Sequence, residues 1–369
     1  YCMTLTRIDS NNEEATMMLA DMMFQKREFQ PAIFHFQQLL QQRPDNFKGL
    51  YKLLQLLRRA GKIQEAKPFL EAAVKHSPQT KHRPGYQFCK GMFARYTNEV
   101  ADAIRSLNQA RKSAEWGEEA ILNMVEVYLN PDNENIWEGM DGDGAGNANE
   151  GNMEAVRICE RLLREIKKRP KSLRHDMLEC HALIGTRQRP NIELALKRFH
   201  STLKENPECV PALRGMSMAL LMLKQTPKAR NCLRRIHKMK YDPTFSEDFE
   251  AGWLMLANMY IGTGKYDLAE DLCRRCLSYN QGCGLAHERM GLIKEKEASY
   301  ADAALHYEQA WVCENELSPV IGFKLAFNYL KAQRYIDAVE VCNKVLGKFP
   351  NYPKMKTEIL AKAWSGLRP

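Results

Sequence analysis

Nine alanines recur through this chain at a spacing that few folds can satisfy. Ala32, Ala66, Ala103, Ala155, Ala195, Ala229, Ala269, Ala303 and Ala338 stand 34, 37, 52, 40, 34, 40, 34 and 35 residues apart. Four residues after each comes a larger packing residue: Phe36, Leu70, Leu107, Cys159, Phe199, Leu233, Cys273, Tyr307 and Cys342. Pro44, Pro78, Pro207 and Pro350 each fall 12 residues after their alanine. Proline stops a helix there, because it lacks the N–H and bars the α region to its predecessor. A period of this length marks a supersecondary unit that buries its apolar face only by stacking on copies of itself.

The unit is clearest in "WLMLANMYIGTGKYDLAEDLCRRCL", residues 253–277. Trp253, Leu256, Ala257 and Tyr260 follow W-x2-L-small-x2-Y, and Gly264 marks a turn. Ala269 is the small residue where a second helix crosses the first. This is the tetratricopeptide repeat (TPR) pattern, with one helix A and one helix B per repeat. The spacing predicts an all-α fold: a TPR solenoid, a right-handed superhelix of about nine helix pairs with a C-terminal capping helix. Residues 1–12 read as the end of a preceding repeat, and 13–129 and 153–352 as TPR repeats. Residues 353–369 read as the cap, with "KMKTEILAKAW" helical over about 354–364. The chain opens at Tyr1 inside what reads as a helix, and is expected to be part of a longer protein.

The 52-residue gap exceeds the period by 18, and the excess is one unusual stretch, "WEGMDGDGAGNANEGNMEA" (137–155). Helix A of that repeat is expected to run to about Tyr128, and helix B to resume at Asn152 or Met153. Residues 130–152 are then an acidic, Gly-rich insertion in an A–B turn. From Asp132 to Asn152 there are six acids and no base. A calcium loop counted from Asp141 finds Asp143 and Gly146 in place, but Ala145 and Asn152 where ligands are needed. No Gly-Lys-Ser/Thr follows to make a phosphate loop. The composition reads as a mobile insertion that folding does not need, with docking through Trp137 as the alternative.

No catalytic constellation forms along the chain. Its nine histidines are scattered, with no His/Asp/Ser or HExxH grouping. "CRRC" at Cys273 and Cys276, followed by Cys283 and His287, has zinc-like spacing. Yet Cys273 and Cys276 occupy packing positions of helix B, where free cysteine serves as a small hydrophobe. No catalytic residue, metal, cofactor or small-molecule substrate is expected. The longest apolar run, "MSMALLML" (216–223), is far short of the roughly 18 residues that span a bilayer. Eleven scattered cysteines, an odd count, favour a reducing compartment.

What such an array offers is surface for other proteins. The helix-A residues not expected to face helix B are unusually apolar: Met17, Phe24, Tyr51, Phe88, Met92, Leu122, Phe323 and Phe327. Lining a concave groove, they would take an apolar helix or peptide from a partner. The other reading packs some of them against adjacent repeats. A carboxylate clamp needs Lys and Asn on successive helices A, and Asn258 stands nearly alone. Arg157, Arg161, Arg164 and Lys168 share a helical face away from Val156, Cys159 and Leu163. Arg230, Arg234 and Lys238 belong to a stretch, 224–240, with seven basic residues and no acid. A solvated helix face is one reading. The other is an outer patch for an acidic protein surface, anionic lipid or nucleic acid. Nucleic acid is the weakest of these, because no aromatics interleave for stacking.

Beyond the repeat itself, "NMVEVYLNPDNE", "LMLKQTPKARNCLRRIHKMKY", "EKEASYADAALHYEQAW", "GFKLAFNYLKAQRYIDAVEVC" and "YPKMKTEILAKAWSGLRP" carry a more specific likeness. With them the chain resembles, from end to end, the C-terminal part of the tetratricopeptide repeat protein 21 family, the large TPR subunit of intraflagellar transport complex A. The acidic insertion is the least family-like part. The resemblance implies a non-catalytic scaffold of the ciliary transport train, supporting retrograde, dynein-driven traffic and ciliary entry of membrane receptors. It implies partners among the other complex A subunits, which carry β-propeller and TPR regions, and among membrane-cargo adaptors. It implies a location at the cilium, the ciliary base and the cytoplasm. On the residues alone two other classes stay open: a substrate-presenting TPR module of a larger enzyme, and a basic helical-repeat RNA binder.

Overall fold

The computed structural model describes residues 18, 19, 22, 23, 26, 28–129, 145–166, 172–352 and 354–367, with 145–152 described by backbone alone. Among these residues every regular element is helical. Phe29–Gln42 is helix B of repeat 1. Helices A and B of repeat 2 are Phe47–Arg59 and Lys67–His76, the latter opened by a 3-10 turn, Ile63–Ala66. Repeat 3 has Pro84–Tyr96 and Val100–Ala110, and repeat 4 has Gly117–Leu129 and Ala145–Glu165. Repeat 5 has Leu173–Gly185 and Arg189–Glu205, and repeat 6 has Val210–Met222 and Thr226–Lys238. Repeat 7 has Ser246–Gly262 and Tyr266–Tyr279, and repeat 8 has Gly284–Lys296 and Tyr300–Cys313. Repeat 9 has Pro319–Lys331 and Tyr335–Lys348. The chain divides into two compact units, one of Tyr1–Leu56 with Gln64–Trp253 and one of Leu57–Ile63 with Leu254–Pro369. No helix among the described residues is long and apolar enough to cross a membrane.

Helix pairs close on small residues, on helix B throughout and on both helices in five repeats. Eight of the nine crossing alanines are 0 % exposed, and all nine residues four positions later are buried. On helix A, the position 12 before the alanine is small and buried in five repeats: Gly91, Ser217, Ala257, Gly291 and Ala326. A Cβ on Gly91 would lie 2.8 Å from Leu107 Cγ, and one on Gly291 3.0 Å from the Tyr307 ring. The bulky residue of helix B thus fills the notch that the small residue of helix A leaves, in an interior with no spare volume. Cysteine takes the bulky place in three repeats. Burial pushes the thiols of Cys159 and Cys273 up to about 12, and that of Cys342 up to about 11. Burial of this kind suits a thiol that packs as a small hydrophobe.

The A–B turns share a backbone device. Five residues before the crossing alanine stands a residue with positive φ: Gly61 (71°), Asn98 (65°), Lys224 (58°), Gly264 (71°), Ala298 (59°) and Gln333 (61°). The next N–H then reaches back to helix A: Glu99 to the Ala94 carbonyl at 2.8 Å, Lys265 to Tyr260 at 2.9 Å, Ser299 to Lys294 at 2.9 Å, Arg334 to Tyr329 at 2.9 Å. Lys62 and Gln225 do the same to Leu57 and Leu220, both at 2.8 Å. This is the Schellman cap, which satisfies the last carbonyls of helix A while reversing the chain. Repeat 5 differs, with Arg187 (54°) placed eight residues ahead of Ala195.

Two boundaries differ from the sequence expectation. Helix B of repeat 4 begins at Ala145, seven residues before Asn152. A helix already nucleated extends at little cost, one hydrogen bond per residue added. Ala155 is consequently the eleventh residue of its helix, whereas the other crossing alanines lie within the first two turns or in the 3-10 turn that opens helix B. It alone of the nine is half-buried. The rest of the insertion, 130–144, lies outside the described residues, and with it most of the segment expected to be mobile. At the C-terminus, Met355–Leu360 is wound as a π-helix before Ala361–Leu367 continues as α. Met355, Ile359 and Ala363 are fully buried and four residues apart. Residues four apart lie on one side of the helix, so the three together form the face that the cap buries.

Candidate partner-binding surfaces

Three of the eight residues expected to line a concave groove are not at a surface. Phe88, Met92 and Leu122 are 0, 1 and 2 % exposed. The Phe88 ring lies 5.0 Å from Tyr51, edge-on at 76°, and 4.9 Å from Trp116. This aromatic row fastens helix A of repeat 2 to that of repeat 3 and to the start of repeat 4. Tyr51 is half-buried, and burial, with Tyr96 and Glu119 adding to it, pushes its hydroxyl well above the usual range. The seam between neighbouring helices A consumes the side chains that the sequence reading assigned to a groove. Phe323 and Phe327 are half-buried and pack on the core of repeats 8 and 9. Phe323 lies 6.1 Å from the Tyr352 ring, and Lys331 Nζ lies 5.5 Å from the Phe327 ring. Met17 and Phe24 lie outside the described residues.

The same seam carries polar links that the sequence reading missed. Glu126 accepts from Arg95 at 2.9 Å and from Arg174 at 2.7 Å, and Arg174 also reaches Glu119 at 2.8 Å. Arg95 further donates to Asn123 Oδ1. These residues join the helices A of repeats 3, 4 and 5. In the second unit Lys324 Nζ lies 2.6 Å from Glu288, and Asn328 Nδ2 donates to Glu295 at 3.0 Å, joining repeats 8 and 9. Tyr307 donates to the same Glu295 carboxylate at 3.2 Å. Asn123 and Asn328 are buried. The lysine and asparagines of these helices are thus committed between repeats rather than to a clamp. A buried polar residue needs a partner, so a lone Asn amid helix-A apolar residues was the available signal.

On the outer side, Arg157, Arg161 and Arg164 are exposed on helix B of repeat 4, with Arg164 3.5 Å from Glu160. Arg234 and Lys238 are exposed on helix B of repeat 6. Arg230 is half-buried and its Nε is buried without a hydrogen-bond partner, so it is not part of an open outer face. Lys168 lies outside the described residues. Cys273 and Cys276 are fully buried. Among the described residues the grouping of potential metal ligands is not there but at His175, Asp176 and Glu179.

Repeated A–B pairs, crossing alanines and packed seams define this molecule as a TPR scaffold protein. Two family models divide the chain between them: "TT21 fifth ARM repeats domain" matches residues 13–129, and "Tetratricopeptide repeat protein 21 C-terminal ARM domain" matches 158–364. The chain belongs to the tetratricopeptide repeat protein 21 family. It is 46% identical over 331 residues to tetratricopeptide repeat protein 21B of Homo sapiens, covering 87% of this chain and 25% of that protein. It is 43% identical over 377 residues to the Xenopus laevis 21B protein, covering 100% and 29%. The chain therefore spans less than a third of the length of these relatives. A tetratricopeptide repeat protein from Parabacteroides merdae superposes with a TM-score of 0.43 at 14% identity, over 85% of this chain and 98% of its own.

Proposed function

We propose that this chain is a non-catalytic protein–protein scaffold of intraflagellar transport complex A. It works at the cilium, the ciliary base and in the cytoplasm, supporting retrograde transport and ciliary entry of membrane cargo. The observation that carries this reading is the family match on both sides of the insertion, over 13–129 and 158–364. Its partners are other complex A subunits with β-propeller and TPR regions, and membrane-cargo adaptors. The surfaces that support such contacts are the exposed Arg157, Arg161, Arg164, Arg234 and Lys238, and the half-buried Phe323 and Phe327. Basic side chains of this kind steer an acidic partner and set the on-rate.

The test is capture from ciliated cells. Tagged chain is expected to co-purify complex A subunits, and Arg157→Glu with Arg161→Glu and Arg164→Glu to weaken that capture while the circular dichroism spectrum is kept. Wild-type chain that folds, captures no complex A subunit and stays away from the ciliary base would reject the reading.

A further inference from the structure

His175 lies in the first turn of helix A of repeat 5 and is 1 % exposed. Its two ring nitrogens meet opposite surroundings. Nε2 lies 3.2 Å from the carbonyl of Leu163, on helix B of repeat 4, so Nε2 carries the hydrogen and donates it. A neutral ring that donates from Nε2 presents a bare lone pair at Nδ1. Nδ1 is buried and has no hydrogen-bond partner. It faces two carboxylates instead, Glu179 Oε1 at 3.7 Å and Asp176 Oδ1 at 3.9 Å. The three acceptor atoms all lie within 4.8 Å of one another.

Acceptors that converge in this way repel one another unless a positive centre lies among them. A proton on Nδ1 is a poor fit, because 3.7 and 3.9 Å exceed hydrogen-bond reach. A divalent metal fits better. Bonds of about 2.0–2.2 Å to imidazole nitrogen and carboxylate oxygen set the donor atoms of a tetrahedron about 3.4 Å apart. The two donor pairs that include His175 need to close by only a few tenths of an ångström, the two carboxylate oxygens start within 4.8 Å of each other, and the Asp176 and Glu179 side chains, 53% and 29% exposed, have room to move together. The surroundings support the donors as well. A backbone carbonyl that takes the far N–H is the usual way a metal-binding histidine is oriented. Arg198, on helix B of repeat 5, holds the other Glu179 oxygen, Oε2, at 3.3 Å and so turns Oε1 toward His175. The helix N-terminus opposes a cation with about half a positive charge, which two carboxylates outweigh.

We propose that His175 Nδ1, Asp176 and Glu179 form a three-ligand site for a divalent transition-metal cation, zinc by ligand type, with water completing the coordination. One imidazole with two carboxylates suits zinc, whereas calcium and magnesium take oxygen donors. The site ties the start of repeat 5 to the last turns of helix B of repeat 4 through Leu163 and to helix B of repeat 5 through Arg198. A bound ion there braces one joint of the array.

The 369-residue chain, stripped with chelator, is dialysed against zinc and, separately, against cobalt(II). One equivalent should bind, with cobalt d–d absorption, no thiolate charge-transfer band, and a rise in Tm on adding zinc. Asp176→Asn and Glu179→Gln should each weaken zinc binding by about tenfold or more, with the circular dichroism and chelated Tm of the parent. These partly exposed carboxylates carry the test, since His175→Gln alters a buried residue. Zinc affinity unchanged in both variants would make it an adventitious ion only and overturn the proposal. A thiolate band, which places the metal on cysteine, or no binding at all would overturn it equally.

Discussion

Gly264 and Ala298 occupy the same place in consecutive repeats, five residues before Ala269 and Ala303, and both hold a left-handed backbone, with φ of 71° and 59°. Glycine adopts that conformation freely, whereas a Cβ costs roughly 1–2 kcal/mol. Ala298 is exposed, so its methyl group has little packing to offer in return. Ala298→Gly is expected to raise the unfolding free energy by about 1 kcal/mol, and Gly264→Ala to lower it by a similar amount. Denaturant melts with an unchanged m-value check both. Loss of stability on Ala298→Gly would show that the turn is not left-handed in solution.

Two further glycines separate packing from backbone freedom. A Cβ on Gly215 would lie 2.4 Å from Phe199 Cζ, in a ring that is fully buried. A Cβ on Gly347 meets nothing within 4 Å. Gly215→Ala is expected to cost about 1–3 kcal/mol by overpacking. Gly347→Ala, inside an exposed helix end, is expected to gain about 0.5–1 kcal/mol. Thermal melts of the two variants should move in opposite directions.

Glu126 and Glu119 both contact Arg174, but their surroundings differ. The Glu126 side chain is 15% exposed and bridges two arginines, while Glu119 is 49% exposed. Glu126→Gln is expected to cost about 1.5–3 kcal/mol, the scale for hydrogen bonds to charged groups. Glu119→Gln is expected to cost at most about 1 kcal/mol, as exposed pairs do. Equal losses would mean that the bridge between repeats 3, 4 and 5 is not the stronger contact.

His181 supplies a pH dependence. Burial, with Arg214 adding to it, lowers its pKa from the ordinary 6.5 to about 3. Between those values the unfolded chain binds a proton that the folded chain does not. Its contribution is therefore fully present above about pH 6.5 and is lost as pH falls toward 3, with a slope approaching about 1.4 kcal/mol per pH unit. Denaturant melts from pH 7.5 to 4.5 should show that slope in the parent and a shallower one in His181→Leu. Parallel slopes would assign the acid sensitivity to other groups.

The helix pairs were legible because they rest on side-chain size at places where two backbones nearly touch. Ala103, Ala269 and Ala303 are small where nothing larger fits, and the buried Cys273 and Cys276 fill packing positions for the same reason. Ala155 shows the limit: its type fits the frame, but its helix starts earlier, and it stays half-buried. Phe88, Met92 and Leu122 show another. An apolar residue on helix A carries no mark of which face it fills, the open groove or the seam with the next repeat.

The sequence by itself determined the helix pairs and the crossing residues, since each depends on groups within one repeat length of about 34 residues. It also marked Gly264 as a turn, although Lys224, Ala298 and Gln333 take the same left-handed conformation without the residue type that announces it. Only the tertiary structure decided which helix-A side chains close the seams, and that Leu163 takes His175 Nε2 and Arg198 takes Glu179 Oε2 while His175 Nδ1 keeps a buried, unpaired lone pair. Those distances depend on how closely, and at what angle, one helix pair is laid on the next, and no single pair encodes that.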